Sequence, residues 1–145
     1  MTTSPAGYAL IKRFETCSLW SYWDVDGYSI GWGYHDASIK AGQTCTQAQA
    51  DDWLALRVGQ AEAAINEHVL QPLTQGQFDA LVDFTYNEGE GSLESSTMLH
   101  LINSGQFASA AEQFERWVYA GGKVSSDLMA RRKAEQELFN SSEAA

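Results

Sequence analysis

Apolar residues in the first fifteen positions recur at helical spacing. Tyr8, Ile11 and Phe14 step by three, which brings them to one side of a short helix. Ser4-Pro5 reads as its start, with Ser4 as N-cap and Pro5 in the first turn. Glu15 falls at its C-terminal end. The helix dipole is negative there and disfavours a carboxylate, so the position hints at a functional constraint.

The period then changes. Tyr28, Ile30, Trp32 and Tyr34 alternate with Ser29, Gly31, Gly33 and His35, the pattern of a strand with rings on one face. Asp26-Gly27 ahead of it is a turn signal, and Lys40-Ala41-Gly42-Gln43 is a second. Residues 20–45 are expected to form a small antiparallel sheet. The Ser29, Gly31, Gly33, His35 face reads as the floor of a cleft, because strand glycines often mark a close approach by a ligand or another backbone.

From Thr46 onward the pattern is helical. Thr46-Gln47-Ala48-Gln49 fits a capping box. Leu54, Val58, Ala61, Ile65 and Val69 then form one apolar stripe on a long helix. After Pro72, Thr74-Gln75-Gly76-Gln77 is another capping box, and Phe78, Leu81, Val82 and Thr85 continue a buried helix. Glu88-Gly89-Glu90-Gly91 breaks it. Shorter helices are expected around 96–102, 107–118 and 126–139, and 141–145 reads as a frayed tail. Helices segregated from a small sheet give an α+β class. The expectation is a single domain over 1–145. Its sheet lobe spans about 14–45 and carries the site, and its helical lobe spans about 70–140 and packs with the N-terminal helix. The long helix from about Thr46 joins them, with a cleft between.

Length and composition agree with this picture. The 145 residues suffice for a core without disulfide or metal support. Cys17 and Cys45 lack metal-site spacing and read as two free thiols, with a single bridge as the alternative. The net charge is −10, with nine basic residues, which argues against nucleic-acid binding. The one dense basic group, Arg131-Arg132-Lys133, reads as a solvated helix face. No segment reaches the length of a membrane span, so no stable membrane insertion is expected. Residues 1–6 are polar, and Lys12 and Arg13 interrupt the apolar run that follows. No signal peptide is read, and the chain is expected in the cytoplasm of the cell that makes it.

Candidate chemistry narrows to carboxylates. His35, His68 and His100 are scattered and form no zinc-hydrolase pattern. There is no glycine-rich phosphate loop. A Cys17–His35 nucleophilic pair is possible in principle. Glu15, Asp24, Asp26 and Asp36 all fall in or beside the sheet region. Phe14, Trp20, Tyr22 and Trp23 accompany Glu15 and Asp24. Apolar surroundings raise a glutamate's pKa and keep it protonated as an acid, and aromatic faces stack on sugars as readily as they fill cores.

Phe14-Glu15-x-x-x-Leu19-x-x-Tyr22-x-Asp24 followed by Ile30-Gly31-Trp32-Gly33 resembles the phage lysozyme (endolysin) family, glycoside hydrolase family 24. The resemblance continues through Thr46-x-x-Gln49-Ala50 and Leu73-Thr74-Gln75-x-Gln77-Phe78-Asp79-Ala80-Leu81-Val82-x-Phe84-x-Tyr86-Asn87-x-Gly89. It extends to Ser96-Thr97-x-Leu99 with Asn103, Phe114-x-x-Trp117 and Leu128-x-x-Arg131-Arg132-x-x-Glu135. It implies a lysozyme-like fold and hydrolysis of the β-1,4 bond between N-acetylmuramic acid and N-acetylglucosamine in peptidoglycan. It implies no metal or other cofactor, a monomer, and release through a separate membrane pore. The catalytic set it implies is Glu15, Asp24 and Ser29, with Trp32, Tyr34, Asn87 and Arg131 binding substrate. Three departures stand out. Ser29 replaces the usual threonine, the Asp24–Ser29 interval is one residue short, and the family's histidine position holds Tyr34 with His35 displaced by one. Asn87 reads equally as a sugar contact or a helix cap. The competing readings are a lytic transglycosylase, which needs no water-positioning aspartate, and a non-catalytic wall-binding module, which need not keep Glu15 or Asp24.

Overall fold

The structure, a computed structural model, describes residues 1–141. The expected tail therefore lies largely outside the described residues, and Ser141 itself bonds back to the Leu138 carbonyl.

Helix α1 is Pro5–Glu15, with Pro5 in its first turn and the Ser4 hydroxyl accepting from the Gly7 amide. A three-stranded antiparallel sheet follows, β1 Ser18–Asp24, β2 Gly27–Gly31 and β3 Tyr34–His35, in the order β1-β2-β3. Helix α2, Gln47–His68, and helix α3, Gln75–Glu88, both start with complete capping boxes, at Thr46/Gln49 and Thr74/Gln77. Then come α4 Glu90–Ser95, α5 Thr97–Asn103, α6 Phe107–Glu112 with a 3-10 turn Gln113–Arg116, a hairpin of β4 Tyr119–Ala120 and β5 Lys123–Val124, and α7 Ser126–Phe139. The class is α+β, as the sequence implied.

The expected stripe of α2 is its inner face: Leu54, Val58, Ala61 and Ile65 are all buried. With 22 residues the helix is about 33 Å long, and it packs on both the sheet and α3. Helix α3 is surrounded by α1, α2 and α7, so residues on all its sides are buried, from Phe78 through Thr85. Phe84 meets Phe114 edge to face, with ring centroids 5.9 Å apart, and Phe114 meets Phe139 in turn at 5.5 Å. No helix among the described residues is long and apolar enough to cross a membrane.

Four sequence expectations need correction. The alternation over 28–35 is not one strand. Gly31 and Gly33 sit at φ +67° and +73°, in the left-handed region, and the chain reverses so that Ile30 pairs with Tyr34. The hairpin turn before it is Val25-Asp26, closing between Asp24 and Gly27, one residue earlier than expected. The 107–118 helix stops at Glu112 and tightens into the 3-10 turn. Arg131 and Arg132 are not a solvated face: they are 4% and 1% exposed. They tolerate burial because carboxylates from other segments face both guanidinium groups.

Candidate active site

Glu15 is the last residue of α1, and the fold closes α7 over it. Arg131 Nη1 donates to Glu15 Oε2 at 2.6 Å. The same guanidinium grips both oxygens of Asp83, through Nε and Nη2, each at 2.9 Å. Asp83 comes from α3 and its side chain is fully buried. Arg132 bonds Glu88, Asn87 Oδ1 and Glu135. Two guanidinium groups thus face four carboxylates, Glu15, Asp83, Glu88 and Glu135.

This cluster sets the state of Glu15. Burial pushes its carboxyl above the ordinary glutamate range, Arg131 pulls the other way, and the charges of Asp83 and Asp24 add to the rise. Arg131 itself is held above the ordinary arginine range. Burial alone would lower it, and Asp83 and Glu15 more than reverse that. The two partners pull unequally because Asp83 already occupies two of the guanidinium's donors, so Arg131 only partly offsets the desolvation of Glu15. Burial first, and Asp83 second, also hold Glu135 well above its usual range. With protons on Glu15 and Glu135 the charges of the cluster balance. A protonated Glu15 accepts from Arg131 at Oε2, which leaves Oε1 to carry the proton. Gly33 lies against that oxygen, and a Cβ at position 33 would overlap it.

Asp24 ends β1, and Ser29 lies on β2 opposite Tyr22. The Ser29 hydroxyl donates to Asp24 Oδ2 at 2.9 Å and also lies 2.9 Å from His35 Nδ1. His35 Nε2 in turn lies 3.0 Å from Asp26 Oδ1. Ser29 was expected on an open strand face, yet it is fully buried. Its hydroxyl holds Asp24 and does not line free surface, because Asp24 and His35 close over it.

A cavity of about 600 Å³ is lined by Gly33, His35, Arg57, Thr85, Tyr86 and Asn87 among others, a size ordinary for a small-molecule site; of this lining, Gly33 lies against Glu15. Of the expected substrate contacts, only Asn87 reaches this lining. It is not a helix cap, since Gly89 caps α3. Trp32 instead donates its indole N–H to Asp51 of α2 at 2.9 Å. Tyr34 stacks on Trp53 of α2, with ring centroids 4.9 Å apart. Both face α2 because the Gly31–Gly33 reversal turns them there. Arg131 sits behind Glu15 with its donors engaged by carboxylates, so its place is that of a support and not of a sugar contact. Cys17 and Cys45 are free thiols.

Three residues of the site were given no role from the sequence. Tyr22, marked there only as one of the rings near Glu15 and Asp24, has its phenol pushed up by burial, then by Asp24 and Glu15. Tyr86 donates to the Trp32 carbonyl at 2.5 Å and so ties α3 to the turn that carries Gly33. Thr85 is buried in the cavity wall, and its hydroxyl has no partner among the described residues.

The sequence model of the family described as Phage lysozyme matches residues 12–135. An endolysin of Bacillus phage PZA is 42% identical over 97% of this chain and 56% of its own length. This chain thus spans about half the length of that relative and of the endolysin of Bacillus phage B103. Among solved structures, the endolysin from Escherichia coli O157:H7 phage FAHEc1 superposes with a TM-score of 0.88 at 33% identity, covering 100% of this chain and 97% of that one. The muramidase domain of SpmX from Asticaccaulis excentricus gives 0.87 at 35% identity, covering 96% of this chain and 97% of that one.

Proposed function

Because this chain belongs to the phage lysozyme family, we propose that it is a muramidase that hydrolyses the glycan strands of bacterial peptidoglycan at the β-1,4 bond after N-acetylmuramic acid. The observation that carries this reading is the unequal pair of carboxylates. Glu15 is buried and pushed towards its protonated form, while Asp24 accepts the Ser29 hydroxyl. Glycoside hydrolysis needs that pair, one acid that holds a proton and one carboxylate that is ionised.

In this reading the sugar chain occupies the cleft between the sheet and the helices of a single lysozyme domain, and Asn87 offers its amide N–H to an N-acetyl carbonyl. Glu15 Oε1 gives its proton to the glycosidic oxygen as the bond from that oxygen to the anomeric carbon breaks. Arg131, already bonded to Oε2, stabilises the carboxylate that remains. Asp24 takes a proton from the attacking water as its oxygen bonds to the anomeric carbon. The products are two shorter glycans, one with a new reducing end and one with a new hydroxyl. Ser29 supports Asp24 and does not touch the water, since it is out of solvent reach.

Room for a water between carboxylate and sugar implies inversion of the anomeric centre. NMR of the first-formed reducing sugar tests this. The α anomer is expected first. Initial retention of β would make Asp24 a nucleophile, and an anhydro product would make the enzyme a transglycosylase. Absence of any glycan cleavage by the folded protein would leave a wall-binding module.

A further inference from the structure

The three contacts that link Asp24, Ser29, His35 and Asp26 cannot all be made with a neutral imidazole. Ser29 has one hydroxyl proton. If it goes to Asp24 Oδ2, His35 Nδ1 must donate to the Ser29 oxygen. The Asp26 contact requires a proton on Nε2 as well. The full chain, with separations of 2.9, 2.9 and 3.0 Å, therefore needs both ring nitrogens protonated. With a single proton on Nε2, the Ser29 hydroxyl turns round and donates to Nδ1, and Asp24 loses it. With the proton on Nδ1, the Asp26 contact loses its hydrogen.

Two further observations make this choice sharp. Ser29 is fully buried, so no solvent offers its proton a third direction. One side of the imidazole lies close against Gly27, where a Cβ would stand 3.2 Å from Cε1 and 3.3 Å from Nε2, and Arg57 Nη2 holds the His35 backbone by donating to its carbonyl at 2.9 Å. The charged groups around the ring come from several elements. They are Asp26 in the β1–β2 turn, Asp24 on β1, Asp36, the next residue, and Arg57 of α2. Glu88 of α3 and Glu90 of α4 line the same cavity as His35, with Glu88 engaged by Arg132.

We propose that His35 is a positioning residue for Asp24: with one proton held on Nε2 by Asp26, the second proton, on Nδ1, commits the Ser29 hydroxyl to the Asp24 carboxylate. This rests on the proposed role of Asp24 in catalysis, but the positioning itself is visible in the resting protein. When His35 loses the Nδ1 proton and keeps the one on Nε2, Ser29 turns to Nδ1 and Asp24 loses its only side-chain donor among the described residues, so the carboxylate becomes freer and more basic. Turnover then carries a dependence on the His35 proton in addition to that on Glu15.

The test compares wild type with His35→Ala and His35→Asn, each checked for folding by near-UV circular dichroism. An asparagine amide donates from nearly the Nδ1 position at every pH, so it substitutes for the imidazolium and cannot titrate. Carbon-13 NMR of the Asp24 carboxyl in the resting protein is the first readout. In wild type the Asp24 titration should shift as the imidazole changes charge, and that linked shift should be absent from His35→Asn and from His35→Ala, where no Nδ1 competes for the Ser29 hydroxyl. The second readout is glycan turnover. Wild type should lose about tenfold in kcat with KM little changed as the imidazole becomes neutral, which is the worth of one hydrogen bond to a charged group. His35→Asn should keep most of the wild-type maximum of kcat and, like His35→Ala, lack that pH-dependent limb of the profile. Nitrogen-15 NMR of the wild-type imidazole should show Nδ1 protonated wherever turnover is high. An Asp24 titration identical in all three proteins, or an Nδ1 that stays unprotonated throughout the active range, overturns the proposal. If the carboxyl titration follows His35 while no protein cleaves glycan, the positioning stands and the proposed function fails.

Discussion

Replacing Gly33 with alanine tests how closely the backbone defines the position of the Glu15 carboxyl. Two effects combine at this residue. Its φ of +73° is strained for any side chain, and a Cβ would stand 3.0 Å from Glu15 Cδ and overlap Oε1, where ordinary contact begins at 3.4 Å. Gly42 separates the two effects, since its φ is +75° and nothing lies within 4 Å of a Cβ there. Both alanine variants should lose about 1–2 kcal/mol for left-handed backbone, which in a chain of this size is roughly 2–4 °C of Tm per kcal/mol. Only Gly33→Ala should also push the carboxyl aside, by about 1 Å, and a displacement of that size costs on the order of 100-fold in rate. Thermal unfolding by circular dichroism and kcat on soluble glycan fragments measure the two parts. The expected result is a similar loss of Tm in both variants, with turnover collapsing in Gly33→Ala alone. Turnover within tenfold of wild type in a folded Gly33→Ala would refute the close packing of Gly33 on Glu15 as a constraint on catalysis, and equal loss in both variants would assign the effect to strain.

Two further outcomes follow from the buried ion cluster. Arg131→Met should destabilise the fold by about 3–5 kcal/mol, because it leaves the Asp83 charge buried and unpaired; urea midpoints measure this, and Arg131→Met combined with Asp83→Leu should recover part of it. The stability of Glu15→Gln relative to wild type should depend on pH. Burial raises the folded-state pKa of Glu15 above its unfolded value, so between the two the folded chain keeps a proton that the unfolded chain has released. Wild type therefore loses stability as pH rises through that window, by at most about 1.4 kcal/mol per pH unit. Urea midpoints taken from about pH 4 to about pH 8 should show the glutamine variant gaining on wild type, with no change below the ordinary glutamate range; a constant difference would contradict the raised pKa.

What local chemistry governs was legible in the sequence. The N-cap at Ser4 and the capping boxes at Thr46 and Thr74 join residues three apart, and they form as expected. The α2 stripe is equally local, since a 3.6-residue period with one apolar face leaves one way to pack. Glu15 stood out for its helix end. The missed β4–β5 hairpin also carried a local mark, because Gly121-Gly122, at φ +58° and +79°, is a two-residue turn. The strand over 28–35 misled because Gly31 and Gly33 fit an alternating pattern, while their lack of a Cβ permits the reversal that the fold uses. Long-range assembly decided the rest. Arg131 meets Glu15 across 116 positions and Asp83 across 48, and no local pattern tells a buried basic pair from a solvated one. The burial of Ser29 and the meeting of His35 with Asp26 depend likewise on the register that sets β2 between β1 and β3. A sequence names the groups that can ionise, but their protonation depends on the charges and solvent that folding places around them, and those arrive from segments far apart in the chain.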